Sequence, residues 1–296
     1  MSTAAARSEN GTVSGELAVV VYSPKSPLRH PCQLVREIVT DLWRCRELTW
    51  ILFMRDLKAQ FRQSYFGYAW LFVPVIATTL VWMFLESMGV VNGGNTSIPY
   101  PVYVLLGSMI WGVFAASVSQ PLNSFNASRP VFMKIKVPPE AFILSAVAQI
   151  LFEVLIKLVV LLPVLVVLGV PLASTAWLFP VGLACTVVVG LCVGFLLIPI
   201  GSLYTDVNRM ITTVLSFAIY LCPVVYAAPE SGWKADVVNR NPLTSLVNTT
   251  RDWLTIGHSD YLPAMIGTTI AATVLLVFGL VVFRVVLPHL VERMGM

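Results

Sequence analysis

The chain has 296 residues, 57% of them hydrophobic and only 11% charged, with a formal net charge of +4. Soluble domains carry about 25% charged residues, and none needs the 48 successive uncharged residues that run here between Lys157 and Asp206. A water-soluble enzyme is thereby excluded, and no nucleic-acid partner is expected.

Taken from the N-terminus, residues 1–35 are rich in Ser, Ala, Gly and Pro and predict a mobile cytoplasmic tail. Its apolar run Leu17–Tyr22 is too short for a secretory signal and follows Glu16 instead of a basic stretch. Over 36–64 the pattern becomes that of an amphipathic interface helix. Trp50, Phe53, Met54, Leu57 and Phe61 recur at helical spacing, while Arg55, Lys58 and Arg62 stack on another face. Such a helix lies in the cytoplasmic membrane interface, and its basic row suits anionic lipid or a phosphate-bearing headgroup.

Residues 65–296 read as a domain of six transmembrane helices, giving an all-α polytopic membrane protein. The spans are predicted near Tyr65–Leu85, Val102–Leu122, Ala141–Val170, Trp177–Tyr204, Met210–Ala228 and Tyr261–Phe283. Each approaches the ~20 residues that cross a hydrocarbon core. With six spans and a cytoplasmic N-terminus, the cytoplasmic parts hold fifteen of the nineteen Lys and Arg. The opposite side holds Lys234, Arg240 and Arg251, so both termini are expected in the cytoplasm.

Aromatic residues are frequent in these spans: Tyr68, Trp70, Trp82 and Phe84, then Tyr103, Trp111 and Phe114, then Phe217 and Tyr220. Interfacial belts and packing explain most of them, but aromatic faces also form apolar platforms along which a sugar ring can slide. The loop after the second span places Arg129, Lys134 and Lys136 around Val131, Phe132 and Met133, an apolar knob with a charged rim suited to a groove on a cytoplasmic partner. In the third span Glu153 and Lys157 stand at i, i+4, either bridging to a neighbouring helix or lining a pathway. Gly182, Thr186, Gly190 and Gly194 form a small-residue stripe in the fourth span, allowing close helix approach within one subunit or across a dimer.

Pro223 is expected to break the fifth span near Tyr226. Residues 229–260, with Trp233, Asn241, Pro242 and Trp253, predict short re-entrant helices folded back into the outer interface, either a gate over an exit path or a surface cap. Cys32, Cys45, Cys185, Cys192 and Cys222 are scattered, as are His30, His258 and His289, which predicts no metal site. No G-x-x-x-x-G-K-[ST] phosphate loop occurs. This chain is expected to have no catalytic site and to bind no cofactor.

Four motifs in series carry a resemblance. They are Arg55-Asp-Leu-Lys-Ala-Gln-Phe-Arg-Gln-Ser-Tyr-Phe-Gly-Tyr-Ala-Trp70, Lys134-Ile-Lys-Val-Pro-Pro-Glu140, Tyr204-Thr-Asp-Val-Asn-Arg209 leading to Cys222-Pro-Val-Val-Tyr226, and Asn241-Pro-Leu-Thr-Ser-Leu-Val-Asn248. Together they resemble the ABC-2 type permeases that export O-antigen, capsular polysaccharide and teichoic acid. The likeness implies two copies of the subunit in the cytoplasmic membrane, with two ATP-binding cassette subunits that use ATP and Mg below them. It implies a polyprenyl-diphosphate-linked glycan or related polymer as substrate, and membrane lipid around the path. By position, Arg129–Glu140 would be the coupling helix, Trp43–Arg62 the helix bracing the ATPase, and Pro229–Asp260 the outer gate. Cys222 stands where a Ser is frequent. A lipid or drug exporter of the same superfamily is the near alternative, and an ion-coupled secondary carrier the distant one.

Overall fold

The computed structural model describes residues 45–61, 65–90, 98–132, 140–167, 169–227 and 232–294. Among them the chain forms nine α-helices and no strand: α1 (Arg46–Phe61), α2 (Val73–Ser87), α3 (Tyr100–Phe132), α4 (Glu140–Val167), α5 (Phe179–Leu203), α6 (Thr205–Ala218), α7 (Trp233–Arg240), α8 (Pro242–Thr255) and α9 (Leu262–Met294). Four stretches among the described residues are long and apolar enough to cross a bilayer: Tyr100–Ser128, Ala141–Val166, Ala176–Leu203 and Leu262–Phe283. The protein is therefore a multi-pass membrane protein. The predicted tail over 1–35 lies outside the described residues.

The first and fifth expected spans differ from simple helices. α2 has 15 residues, ~22 Å of rise against a hydrocarbon core of ~30 Å. The 3-10 turn Gly67–Leu71 precedes it. α6 ends in a second 3-10 turn, Ile219–Leu221, and Cys222 is already extended. The break thus falls before Pro223 instead of at it, because the proline ring disfavours helical backbone at the residue ahead.

α3 and α5 form the centre, and α5 also packs on α9, α8 and α6. Their approach depends on the small residues of α5. A Cβ added at Gly190 would lie 2.5 Å from the Ser117 side chain, and one at Gly194 would lie 2.7 Å from the Val118 carbonyl. At Gly182 it would meet Thr250 of α8 at 2.5 Å. Within the fold, then, the stripe serves contacts inside the subunit. α4 packs on α3 and on α1, and closes with Gly169 at φ +64°. There the Val170 N–H donates to the Leu165 carbonyl and the Gly169 N–H to that of Val166, the usual αL ending.

In α1 the buried face is Thr49, Leu52 and Phe53, whereas Trp50 and Ile51 are exposed. The face predicted from the aromatics is therefore rotated, because Phe53 turns toward α4, where it meets Phe152 edge-on at 5.8 Å. α8 sits where the α4–α5 loop lies, with α7 packed on it: Thr175 donates to the Trp253 carbonyl at 2.9 Å, and the Ala173 N–H to that of Leu254 at 3.0 Å. α8 starts at an Asn241 N-cap, whose Oδ1 accepts from the Leu243 N–H, with Pro242 next. It is buried from Thr244 to Arg251.

Candidate functional site

Between α3 and α6 an open groove of about 350 Å³ is lined by Trp111, Ala115, Ala116, Ser119, Thr212, Leu215 and Ser216. None of these is charged. On α3 the residues at 111, 115 and 119 stand one turn apart, and on α6 so do those at 212 and 216, so each helix turns one stripe to the groove. Every hydroxyl there bonds its own helix: Ser119 donates to the Ala115 carbonyl at 2.9 Å, Thr212 to that of Arg209 at 2.8 Å, and Ser216 to that of Thr212 at 2.8 Å. One turn beyond, Asn208 donates to the Asn123 Oδ1 at 2.9 Å and ties α6 to α3. Trp111 packs on Phe114 with ring centroids 5.3 Å apart, and both are buried.

At the other end of α6 the unwound Cys222–Tyr226 segment is clamped by α3 and α8. Tyr100 donates to the Val225 carbonyl at 2.8 Å, and Tyr103 reaches those of Pro223 and Tyr226, each at 3.0 Å. The Arg251 Nη2 donates to the Pro223 carbonyl at 3.0 Å, and its guanidinium lies over the Tyr103 ring, 3.6 Å from the centroid. These bonds satisfy the backbone groups that lost helical partners, as an apolar setting demands. Asn241 adds hydrogen bonds to the Leu221 carbonyl and the Cys222 Sγ. Gly107 makes room, since a Cβ there would lie 2.5 Å from the Val224 carbonyl and 2.6 Å from the Arg251 Nη2.

Two further polar contacts lie among the helices, one within α4 and one between helices. Lys157 Nζ lies 2.6 Å from Glu153 Oε1 with its side chain buried, beside Gly112 of α3, where a Cβ would come within 3.2 Å of the ammonium. A chain of side chains runs from Gln120 of α3 to Gln149 of α4 at 3.1 Å, and on to Asp56 of α1 at 3.2 Å. Arg55 pairs with the other oxygen of Asp56 at 2.7 Å.

The expected site residues are therefore distributed, not gathered. Of the aromatics, only Trp111 lines the groove; Tyr103 belongs to the clamp and Phe114 to the α3–α5 packing. Trp70, Phe84, Phe217 and Tyr220 are exposed, and Trp82 is half-buried. Tyr68 lies in the 3-10 turn, with its side chain outside the described residues. α3 continues through Arg129, Val131 and Phe132, whose side chains are likewise outside the description. Met133, Lys134, Lys136 and Arg62 lie outside it altogether. Arg55 and Lys58 are on α1. Pro223, Tyr226 and Asn241 meet at the clamp, Pro242 is the first residue of α8, Trp253 is buried in it, and Trp233 is exposed at the start of α7.

Sequence reading missed Arg251, taken as an outer charge, along with Tyr100, Gly107 and the groove hydroxyls. The i, i+4 spacing of the pairs at 115 and 119 and at 212 and 216 was the available signal.

Residues 47–255 match the ABC-2 type transporter family. The chain is similar to the O-antigen export system permease protein RfbA of Myxococcus xanthus, 24% identical over 71% of this chain and 81% of that protein. It is also similar to two proteins of that name from Klebsiella pneumoniae, 24% and 25% identical, each over 80% of this chain and 91% of the relative.

Proposed function

Since the chain belongs to the ABC-2 type transporter family, we propose that it is the transmembrane subunit of an ATP-driven exporter of a lipid-linked polysaccharide of the O-antigen type. The observation that carries this reading is the likeness to O-antigen export permeases over four-fifths of the chain. In the full assembly two copies stand side by side in the cytoplasmic membrane, each with six spans, both termini inside, and α7–α8 at the outer surface. Two ATP-binding subunits dock beneath, receiving the Arg129–Glu140 segment, while this chain contributes no catalytic group.

α2 and α6 complete the six spans. Both are short, and both leave much of their apolar surface exposed, which suits elements that meet a second copy or lipid. The uncharged groove with Trp111 at its side fits a hydroxylated polymer better than an ion. An ion-coupled carrier is disfavoured by the Glu153–Lys157 pair, which is closed on itself at 2.6 Å. The test is reconstitution with an ATP-binding partner in proteoliposomes. Outward movement of a polyprenyl-diphosphate-linked oligosaccharide is expected to require both that partner and ATP. Movement by this chain alone, or driven by an ion gradient without ATP, overturns the reading.

A further inference from the structure

The groove between α3 and α6 has an unusual hydrogen-bonding balance. A Ser or Thr hydroxyl owns one proton and two lone pairs. In Ser119, Thr212 and Ser216 that proton is spent on a backbone carbonyl of the same helix. What remains facing the groove is lone pairs. One turn along α6, the Asn208 Oδ1 is buried and finds no donor among the described residues. Apart from the Trp111 indole, the lining offers acceptors and apolar surface, and no cation.

A surface of acceptors matches a ligand that brings donors. Sugar hydroxyls do, and the apolar C–H faces of a pyranose suit Trp111 and the two alanines. Carboxylates and phosphodiesters are acceptors only. In a partly desolvated groove with no positive charge, and with the Trp111 indole as its one N–H, they lose more hydration than they regain. The volume of about 350 Å³ lies at the lower end of the ~300–1,000 Å³ typical of small-molecule sites, suited to a short stretch of chain.

We propose that this groove reads the repeating unit of the exported polymer, admitting neutral, hydroxyl-rich sugars and discriminating against glycans that carry carboxylate or phosphate in each repeat. The proposal rests on the exporter reading above. The single diphosphate of a carrier lipid is met, on the same reading, by Arg55 and Lys58 of α1 and not by the groove.

The experiment uses the complete transporter in proteoliposomes with two polyprenyl-diphosphate-linked oligosaccharides of equal length. One is built of neutral hexoses, and the other has a uronic acid in every repeat. At limiting substrate the neutral polymer is expected to move faster by about tenfold or more, the cost of an unmatched charged group. Ala115→Lys, which places a cation in the groove, is expected to shift that ratio toward the acidic polymer by about tenfold. Equal rates in the wild type, or a ratio untouched by Ala115→Lys, overturn the selectivity and leave the exporter reading standing. Movement of neither polymer overturns both. Should Ala115→Lys fail to accumulate, Thr212→Val keeps the shape and removes an acceptor. It is expected to slow the neutral polymer severalfold while partner ATPase persists, and an unchanged rate overturns the proposal.

Discussion

Substituting Gly107 by Ala tests the clamp on the unwound segment. The new methyl would stand 2.5 Å from the Val224 carbonyl oxygen and 2.6 Å from the Arg251 Nη2. One of these neighbours is backbone, and that backbone is already held on both sides by Tyr100 and Tyr103. Overpacking of this kind costs about 1–3 kcal/mol. Displacing the guanidinium from the Pro223 carbonyl forfeits a charged hydrogen bond worth about 1.5–3 kcal/mol. Against this, Ala gains about 1 kcal/mol over Gly in a helix interior, leaving a net loss of about 1.5–5 kcal/mol. Thermal unfolding of the detergent-purified chain should then shift down by roughly 3–20 °C, at 2–4 °C per kcal/mol for a chain of this order. Gly267→Ala in α9 is the control, because a Cβ there meets nothing within 4 Å, and it should melt at or slightly above the wild type. Adding Arg251→Met to Gly107→Ala should not restore stability, since the Val224 carbonyl remains in the way. A Gly107→Ala protein that melts alongside Gly267→Ala refutes the clamp.

Glu153→Gln leaves Lys157 buried without its counter-charge and should destabilise by about 3–5 kcal/mol, whereas Glu153→Gln with Lys157→Met should recover most of that in the same melting assay. No recovery would show that the pair does more than neutralise itself. Gln149→Leu cuts the chain from Gln120 to Asp56 and should cost about 1–3 kcal/mol, read as faster proteolysis at α1 with the rest of the bundle intact; equal cleavage rates would count against the link. Burial pushes the Asp252 carboxyl above its ordinary 3.8, against the hydrogen bond from Ser259 and the charges of Arg251 and His258. A raised carboxyl favours the fold while protonated, so its contribution is intact below the ordinary value and lost as pH rises through the raised one. Asp252→Asn should therefore melt higher than wild type at neutral pH and lose that advantage in acid; a difference independent of pH speaks against this. Phe132→Asp with Met133→Asp should abolish export and partner-stimulated ATPase coupling while the subunit still inserts, and normal export would remove the docking segment.

Burial in lipid made much of the architecture legible from composition alone. The four long apolar helices follow from hydropathy because a helix is what satisfies backbone groups in hydrocarbon without a second segment. α2 and α6 were harder, since their ends are set by 3-10 turns and by Cys222 preceding Pro223, events that hydropathy does not register. The α5 stripe announced close contact, but a stripe cannot say which partner fills it; Ser117, Val118 and Thr250 come from segments far apart in sequence. The role of Arg251 was missed for a related reason. Counting it on the outer side says nothing of its partners, and the clamp that houses it exists only once α3, α8 and Cys222–Tyr226 meet. The groove hydroxyls were overlooked because Ser and Thr are commonplace in apolar helices, and their significance lies in where their protons go.

The way α6 is held bears on how a path could open along it. Lipid gives apolar helices no hydrophobic reason to associate, so packing and hydrogen bonds decide which stay together. α5 is locked to α3 by approaches at Gly190 and Gly194 that admit no Cβ. α6 has no comparable contact. It is tethered to α3 at one end by Asn208 and Asn123, and at the other through Cys222–Tyr226. Between those tethers lies the open groove, and beside it Ile211, Leu215 and Ala218 make ordinary apolar contacts with the core. Bowing α6 away from α3 therefore parts these apolar contacts while leaving both tethers intact, whereas moving α5 would break the glycine approaches to α3.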